Sequence, residues 1–134
     1  MLTSRIILCA QGIIRDTETD SVSVFNILEA ISAPKFPVVI DAIRVFSLTE
    51  SEPVQAEDME LEWHVYLDDS ELLSQKARIE FQGKKRHRMF IQIRGLEIPG
   101  PGELWITLNY GGELTVKTYI DVTQNSPDQK PARS

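Results

Sequence analysis

Three side chains in this sequence, Cys9, His64 and His87, have the chemistry of nucleophiles or of ligands for a soft metal ion. Zinc sites built on local motifs show regular spacings such as HxH, HExxH or CxxC. The three residues match none of these spacings and lie in three separate segments of the sequence. One cysteine also leaves no partner for an internal disulfide. The sequence therefore predicts no metal site and no catalytic residue among them.

Other local motifs of enzymes are also missing, since the sequence has no Gly-x-Ser-x-Gly elbow, no P-loop and no Gly-x-Gly-x-x-Gly turn. Two acidic turns have carboxylates of the kind that bind calcium, but neither follows the twelve-residue EF-hand layout with its fixed glycine. We therefore expect a protein that is not an enzyme and that carries no cofactor. The acidic turns consist of Asp16, Glu18 and Asp20, and of Asp68, Asp69 and Glu71.

Positive charge is concentrated in one basic patch, defined as Lys84, Lys85, Arg86 and Arg88. Such a patch suits a phosphate backbone or an acidic partner. The whole chain, however, has 14 basic and 20 acidic residues and a formal charge of −6. Because phosphate neutralisation dominates nucleic-acid affinity, the sequence disfavours a nucleic-acid partner. The simpler alternative is a charged connection that keeps sheet edges from pairing with other chains.

Three aromatic residues, Tyr66, Trp105 and Tyr119, alternate with apolar residues and are therefore predicted on outward strand faces. Exposed Trp and Tyr are typical of partner surfaces. Trp105 can also lie on the aliphatic stem of Lys117. The sequence predicts a protein partner or a homo-oligomer that contacts this surface. The alternative is a carbohydrate or small ligand that stacks on the same rings.

These side chains must be positioned by β-strands, because apolar and polar residues alternate along most of the chain. Over residues 98–122 the alternation predicts a closing hairpin. A two-residue Gly-Gly loop would set the apolar face of one leg against the polar face of the other. A three-residue loop at 110–112 matches the faces and pairs Leu108 with Leu114. This register also sets Lys117 opposite Trp105.

Six further strands are predicted at residues 6–14, 22–31, 40–48, 59–67, 76–81 and 89–93. The first is apolar at nearly every position, which is typical of a strand covered on both faces. In the second, Phe25, Ile27 and Ile31 share one face. The connection between the last two of these strands contains the basic patch.

The fourth and fifth of these strands are predicted to form a hairpin. Pairing Glu62 with Lys76 and Glu60 with Arg78 keeps the apolar faces together and opposes the charges. The inward residues are then Met59, Leu61, Trp63, Val65 and Leu67 on one strand, and Ala77, Ile79 and Phe81 on the other.

Eight short strands with frequent turns and no helical period predict an all-β fold, an antiparallel β-sandwich of two sheets. The length of 134 residues fits one domain, assigned to residues 1–122. Residues 123–134 are polar and predict a disordered tail. No apolar run approaches the ~20 residues of a membrane helix. We expect a soluble cytoplasmic protein that has no contact with a membrane.

Two stretches of the sequence resemble a bacterial family of small immunoglobulin-like β-sandwiches whose function is unknown. They read LCAQGIIRDTETDSVSVFNILEAI and FQGKKRHRMFIQIRGLEIPGPGELWITLNYGGE. The likeness spans roughly residues 7–122. It implies an immunoglobulin-like fold and supplies no catalytic residues. Many immunoglobulin-like domains carry Gly-x-Tyr at a position where this chain has Gly102-Glu103-Leu104, so the tyrosine is absent here.

Overall fold

The computed structural model describes residues 1–53 and 58–125, and these residues form nine strands and no helix. The predicted all-β class is therefore confirmed. Residues 54–57, between the third and fourth of the six strands predicted before the closing hairpin, and residues 126–134 of the predicted tail lie outside the described residues. The strands are β1 (Leu2–Arg15), β2 (Val22–Ile27), β3 (Ala30–Ala33), β4 (Val38–Ser51), β5 (Met59–Leu67), β6 (Ser70–Ile79), β7 (Arg86–Ile98), β8 (Gly102–Tyr110) and β9 (Leu114–Gln124).

The strands form two sheets that pack face to face. Sheet A has the order β2-β1-β4-β7, and sheet B has the order β3-β9-β8-β5-β6. All neighbours are antiparallel except β3 and β9, which run parallel. Alternating apolar residues of both sheets meet between them and form one buried core. The fold is thus a two-sheet β-sandwich, as predicted.

The predicted β5–β6 hairpin is confirmed, including its register. Glu62 lies opposite Lys76 and Glu60 opposite Arg78. The salt bridges run diagonally across this register, because Lys76 Nζ is 3.6 Å from Glu60 and Arg78 Nη2 is 2.8 Å from Asp58. Four of the five predicted inward residues of β5 are buried, and Met59 is partly buried.

Two predictions need correction: the direction of one side chain and the start of one strand. Ala77 is exposed, whereas Ile79 and Phe81 are buried as predicted. Arg86 to Arg88 belong to β7 rather than to a connection, because β7 pairs with the full length of β4 and begins at Arg86. Their side chains therefore have fixed positions on an edge strand.

The predicted register of the closing hairpin is wrong by two residues. Leu108 pairs with Val116, and Tyr110 pairs with Leu114, so that the loop is Gly111-Gly112-Glu113. A shift of two keeps every apolar side chain on its face, and alternation alone does not distinguish the two registers. Tyr110 decides between them, because its side chain is fully buried and its hydroxyl lies 2.7 Å from Ser47 Oγ of the opposite sheet.

The second predicted strand is two strands in different sheets. Residues 22–27 pair with β1 in sheet A, whereas residues 30–33 pair with β9 in sheet B. Asn26, with a φ of 52°, lies one residue before the end of the first segment, and its side-chain amide donates to Gln11 Oε1 at 3.0 Å. Phe25 and Ile27 are consequently exposed, while Ile31 packs against the core.

The turn between β1 and β2 reaches across sheet A. Arg88 of β7 donates to the carbonyl oxygen of Asp20 at 2.7 Å, although β1 and β7 are separated by β4 in the sheet. Near this crossing three consecutive residues of β4, Val45, Phe46 and Ser47, are all buried, so both faces of the strand are covered. The prediction that β1 is covered on both faces is wrong at Ile6 and Ile14, which are exposed.

The predicted end of the domain at residue 122 also shifts slightly. Strand β9 continues through Thr123 and Gln124, which pair with Ser32 and Ala33 of β3. Within the described parts of the chain there is no helix long and apolar enough to cross a membrane.

Candidate contact surfaces

The three outward aromatic residues of sheet B lie side by side, in what we call the aromatic row: Tyr66, Trp105 and Tyr119. Their strands, β5, β8 and β9, are neighbours, and the register places Trp105 opposite both Tyr66 and Tyr119. The Trp105 and Tyr119 rings are 4.7 Å apart at their centroids and tilted by 39°. Tyr66 and Trp105 are half-buried, and Tyr119 is 44% exposed. The predicted clustering of these rings is confirmed.

Lys117 covers one side of the row. Its Nζ lies 5.1 Å from the centroid of the Trp105 ring, within cation–π range. The contact is diagonal, because Lys117 lies opposite Thr107 and not opposite Trp105 as predicted. The two-residue correction of the hairpin register is the reason. The long stem of lysine reaches the ring in either register.

His64 extends the aromatic row on β5 but is engaged by its neighbours. Its ring stacks on Tyr66 with centroids 5.7 Å apart. Nε2 lies 2.9 Å from Glu62 and Nδ1 lies 2.6 Å from Glu71. Both ring nitrogens therefore face carboxylates, to which they can only donate while the carboxylates are ionised. His64 is thus held between two carboxylates at the end of the aromatic row.

The other two reactive side chains lie elsewhere in the sandwich. Cys9 is in the core, where burial raises the pKa of its thiol to about 12. His87 is on β7 and packs against Phe81 with ring centroids 5.1 Å apart. Burial, and then the charge of Lys84, lower the pKa of His87. Among the described residues no three His, Cys, Asp or Glu side chains converge as metal ligands do.

The acidic turns use their carboxylates within the protein. Asp16 Oδ1 accepts hydrogen bonds from the backbone N–H groups of Glu18 at 2.8 Å and Thr19 at 3.4 Å, which lower the pKa of Asp16. Asp20 Oδ1 lies 3.3 Å from Arg88. Asp68 Oδ1 accepts the backbone N–H of Glu103 at 3.0 Å. These contacts stabilise the first turn internally and link each turn to a neighbouring strand.

The structure divides the basic patch. Lys84, Arg86 and Arg88 line a concave region, whereas Lys85 is directed to Glu52, with 3.1 Å between Nζ and Oε1. Arg86 Nε donates to Glu50 Oε1 at 2.7 Å, and this hydrogen bond is the main reason for the lowered pKa of Glu50. The patch is thus an ordered part of β7 and its preceding turn.

A second set of exposed apolar side chains lies on sheet A, and sequence reasoning missed it. Apart from Met1 and Tyr119, every exposed large hydrophobic residue in the described part of the chain belongs to this sheet. In the sequence Phe25 and Ile27 share one strand face, but alternation does not tell whether that face is buried or exposed. The set is Ile6, Ile14, Phe25, Ile27, Val39 and Phe90.

Comparison with known proteins identifies a family for the chain but no function. A search of curated proteins finds no match to the chain. A family model described as "Family of unknown function (DUF6941)" matches residues 5–123. The match covers all nine strands except the first residues of β1 and the last residue of β9. The chain therefore belongs to the family of unknown function DUF6941.

Proposed function

We propose that this protein is a non-catalytic interaction module that binds a protein partner by surface contact through the aromatic row. The observation that carries the proposal is the in-register placement of Tyr66, Trp105 and Tyr119 across three neighbouring strands. Rigid strands hold the rings without the entropy cost of ordering a loop. Large aromatic side chains supply most of the energy in protein interfaces. The partner is a second copy of this chain or a different protein.

The surroundings of the row resemble the rim of a protein interface. Lys117 lies over the Trp105 ring, and Glu62 and Glu71 contact the His64 ring that stacks on Tyr66, so charged groups flank the row. A partner would cover the rings and leave these charges at the wetter edge. The row also continues into the stacked His64 ring, which enlarges the flat part of the surface.

A carbohydrate ligand is the rival candidate, and the ring geometry favours it less. A sugar needs an open aromatic face on which to stack. Lys117 lies over the ring of Trp105, and Tyr119 packs against the same ring at a tilt of 39°. Tyr119 is the ring with the largest exposure, but its neighbour is not coplanar with it. Protein contact, which tolerates tilted rings, fits better.

Three further properties belong to this proposal: the protein is bacterial, cytoplasmic and immunoglobulin-like in topology. The resemblance of the motifs at residues 8–31 and 81–113 supports the first and third. A buried, unpaired cysteine thiol at Cys9 is compatible with a reducing compartment and supports the second.

The proposal is tested with Trp105→Ala, using Lys76→Ala as a matched control on the outer face of the same sheet. We expect the wild-type protein to retain a specific partner from lysate of its native host, or to sediment as a dimer. Trp105→Ala should no longer retain the partner, or should sediment as a monomer, whereas Lys76→Ala should behave like the wild type. An unchanged partner list and an unchanged mass in Trp105→Ala would refute the proposal. Binding on a glycan array that Trp105→Ala abolishes would favour the carbohydrate rival.

A further inference from the structure

A concave region of about 650 Å³ lies where the β6–β7 turn meets the tip of the β1–β2 hairpin. We call it the basic cleft. Its lining includes five basic side chains and two acidic ones, Asp20 and Glu80. The chain as a whole has six more acidic than basic residues. The basic residues of the cleft are Arg15, Arg78, Lys84, Arg86 and Arg88.

The five cations come from four different segments of the fold. Arg15 ends β1, Arg78 belongs to β6, Lys84 lies in the β6–β7 turn, and Arg86 and Arg88 lie on β7. They converge because the β1–β2 turn crosses sheet A and because a tight turn joins β6 to β7. In that turn the backbone N–H of Lys84 donates to the carbonyl oxygen of Phe81 at 3.0 Å. The cleft is therefore a product of tertiary structure and not of a run of charge in sequence.

Neighbouring groups hold several of these cations in place. Arg88 donates to the Asp20 carbonyl at 2.7 Å, and Arg86 donates to Glu50 at 2.7 Å. Fixed guanidinium groups lose little conformational entropy when they bind an anion. Among the described residues, salt bridges pair the four arginines of the cleft with carboxylates and leave Lys84 without such a partner.

We propose that the basic cleft binds a small ligand that carries several phosphate groups. Phosphate oxygens point in three dimensions and accept charge-assisted hydrogen bonds from donors on several sides, whereas a carboxylate offers two oxygens in one plane. The arrangement of cations on four segments matches the first geometry. The partly exposed aromatic side chain of Phe90 also lines the cleft, where it would contact an organic part of the ligand.

Inorganic tripolyphosphate is the probe for this site, and the two histidines of the chain report where it binds. His87 lines the cleft, and His64 lies on the outer face of the other sheet. Titration followed by imidazole NMR signals should shift His87 and leave His64 in place. Calorimetry at low salt should give one binding event per chain. Failure to bind, or equal shifts of both histidines, would overturn the proposal.

Charge reversal at Lys84 separates the cleft from the overall charge of the protein. Lys84→Glu should weaken tripolyphosphate binding by at least about tenfold, because one charge-assisted contact becomes repulsive. Lys76→Glu, which makes the same change in net charge on an exposed strand outside the cleft, should leave binding within about twofold. Arg15→Gln is a second variant, from a different segment, and should also weaken binding. Equal effects of Lys84→Glu and Lys76→Glu would contradict a defined site.

Two further ligands test the chemistry of the proposal. Citrate carries several carboxylates and should bind more weakly than tripolyphosphate, so equal or tighter citrate binding would refute the phosphate assignment. A short single-stranded RNA that bound while tripolyphosphate did not would also refute it, in favour of a nucleic-acid surface. None of these outcomes depends on the aromatic row.

Discussion

Cys9 illustrates how one buried group couples stability to pH. Its thiol is 2% exposed, and burial raises its pKa from 9.0 to about 12. The unfolded chain therefore loses the thiol proton at a lower pH than the folded chain does. The resulting contribution to stability is complete below pH 9 and is lost as the pH rises from 9 towards 12.

We expect Cys9→Ala to flatten this alkaline loss. The variant should cost on the order of 1 kcal/mol at neutral pH because it opens a small cavity. Between pH 9 and 12 the wild type should lose about 1.4 kcal/mol more per pH unit than the variant at the steepest point. Urea unfolding at a series of pH values measures both curves. Parallel curves would show that Cys9 ionises equally well in the folded state.

Tyr110 is the residue that sequence reasoning misplaced most clearly. Its position next to Gly111-Gly112 suggests a loop residue, because glycines mark turns in sequence. Its ring is instead fully buried, and its hydroxyl bonds Ser47 on the opposite sheet. Burial raises the pKa of this hydroxyl, while the Ser47 hydrogen bond acts in the other direction. A contact across the sandwich leaves no trace in a local pattern.

At the scale of the elements, the β8–β9 loop sets the register on which the aromatic row depends. Both glycines of the loop have positive φ, 59° at Gly111 and 78° at Gly112. An added Cβ at Gly111 would lie 2.8 Å from Met59 Cγ, whereas one at Gly112 would meet nothing within 4 Å. Asn109 Oδ1 accepts the backbone N–H of Gly112 at 2.9 Å and fixes the loop.

Gly111→Ala and Gly112→Ala should therefore differ in their cost. Gly112→Ala should lower the free energy of unfolding by about 1 kcal/mol, because alanine is strained in the left-handed region. Gly111→Ala should cost about 1 kcal/mol more, since Met59 must also move. Denaturant unfolding of the two variants measures the difference. An equal loss would mean that the loop does not press against β5 as described.

Much of the sandwich could be predicted from alternation, and the exceptions have a common cause. The β5–β6 hairpin was predicted in register because a residue shift of one would bury charges such as Glu62. Alternation could not reveal the break between Ile27 and Ala30, where the chain leaves sheet A for sheet B. It also could not say which apolar side chains face the core: Phe25 and Ile27 are exposed, whereas Ile31, which shares their predicted face, packs against the core. The immunoglobulin-like topology stays a prediction.

The two candidate sites also differ in how far they could be predicted from the sequence. The outward direction of the aromatic row could be predicted because its members alternate with core residues on three strands. The structure adds that these three strands are neighbours. The basic cleft could be predicted only in part, since Lys84, Arg86 and Arg88 are close in sequence. Arg15 and Arg78 join them through the crossing of the β1–β2 turn and the stacking of the two sheets. Such convergence depends on tertiary geometry.

At the scale of the whole molecule, three surfaces lie on different parts of one sandwich. The outer face of sheet B presents the aromatic row, and the basic cleft lies at the β6–β7 turn near the hairpin tip. Sheet A presents its own exposed apolar residues. The central claim is that protein contact uses sheet B and not sheet A. Two aromatic residues of similar exposure, one on each sheet, allow the contributions of the two sheets to binding to be compared.

The measurement is the dissociation constant of the retained partner, or of the dimer, for Tyr119→Ala and Phe90→Ala. Tyr119 is 44% exposed on sheet B and Phe90 is 42% exposed on sheet A, so each variant removes a comparable aromatic surface. We predict at least about tenfold weaker binding for Tyr119→Ala, which is the loss expected when an aromatic anchor of an interface is removed. For Phe90→Ala we predict less than about a twofold change in the dissociation constant. Weaker binding in Phe90→Ala, with Tyr119→Ala unchanged, would contradict the central claim.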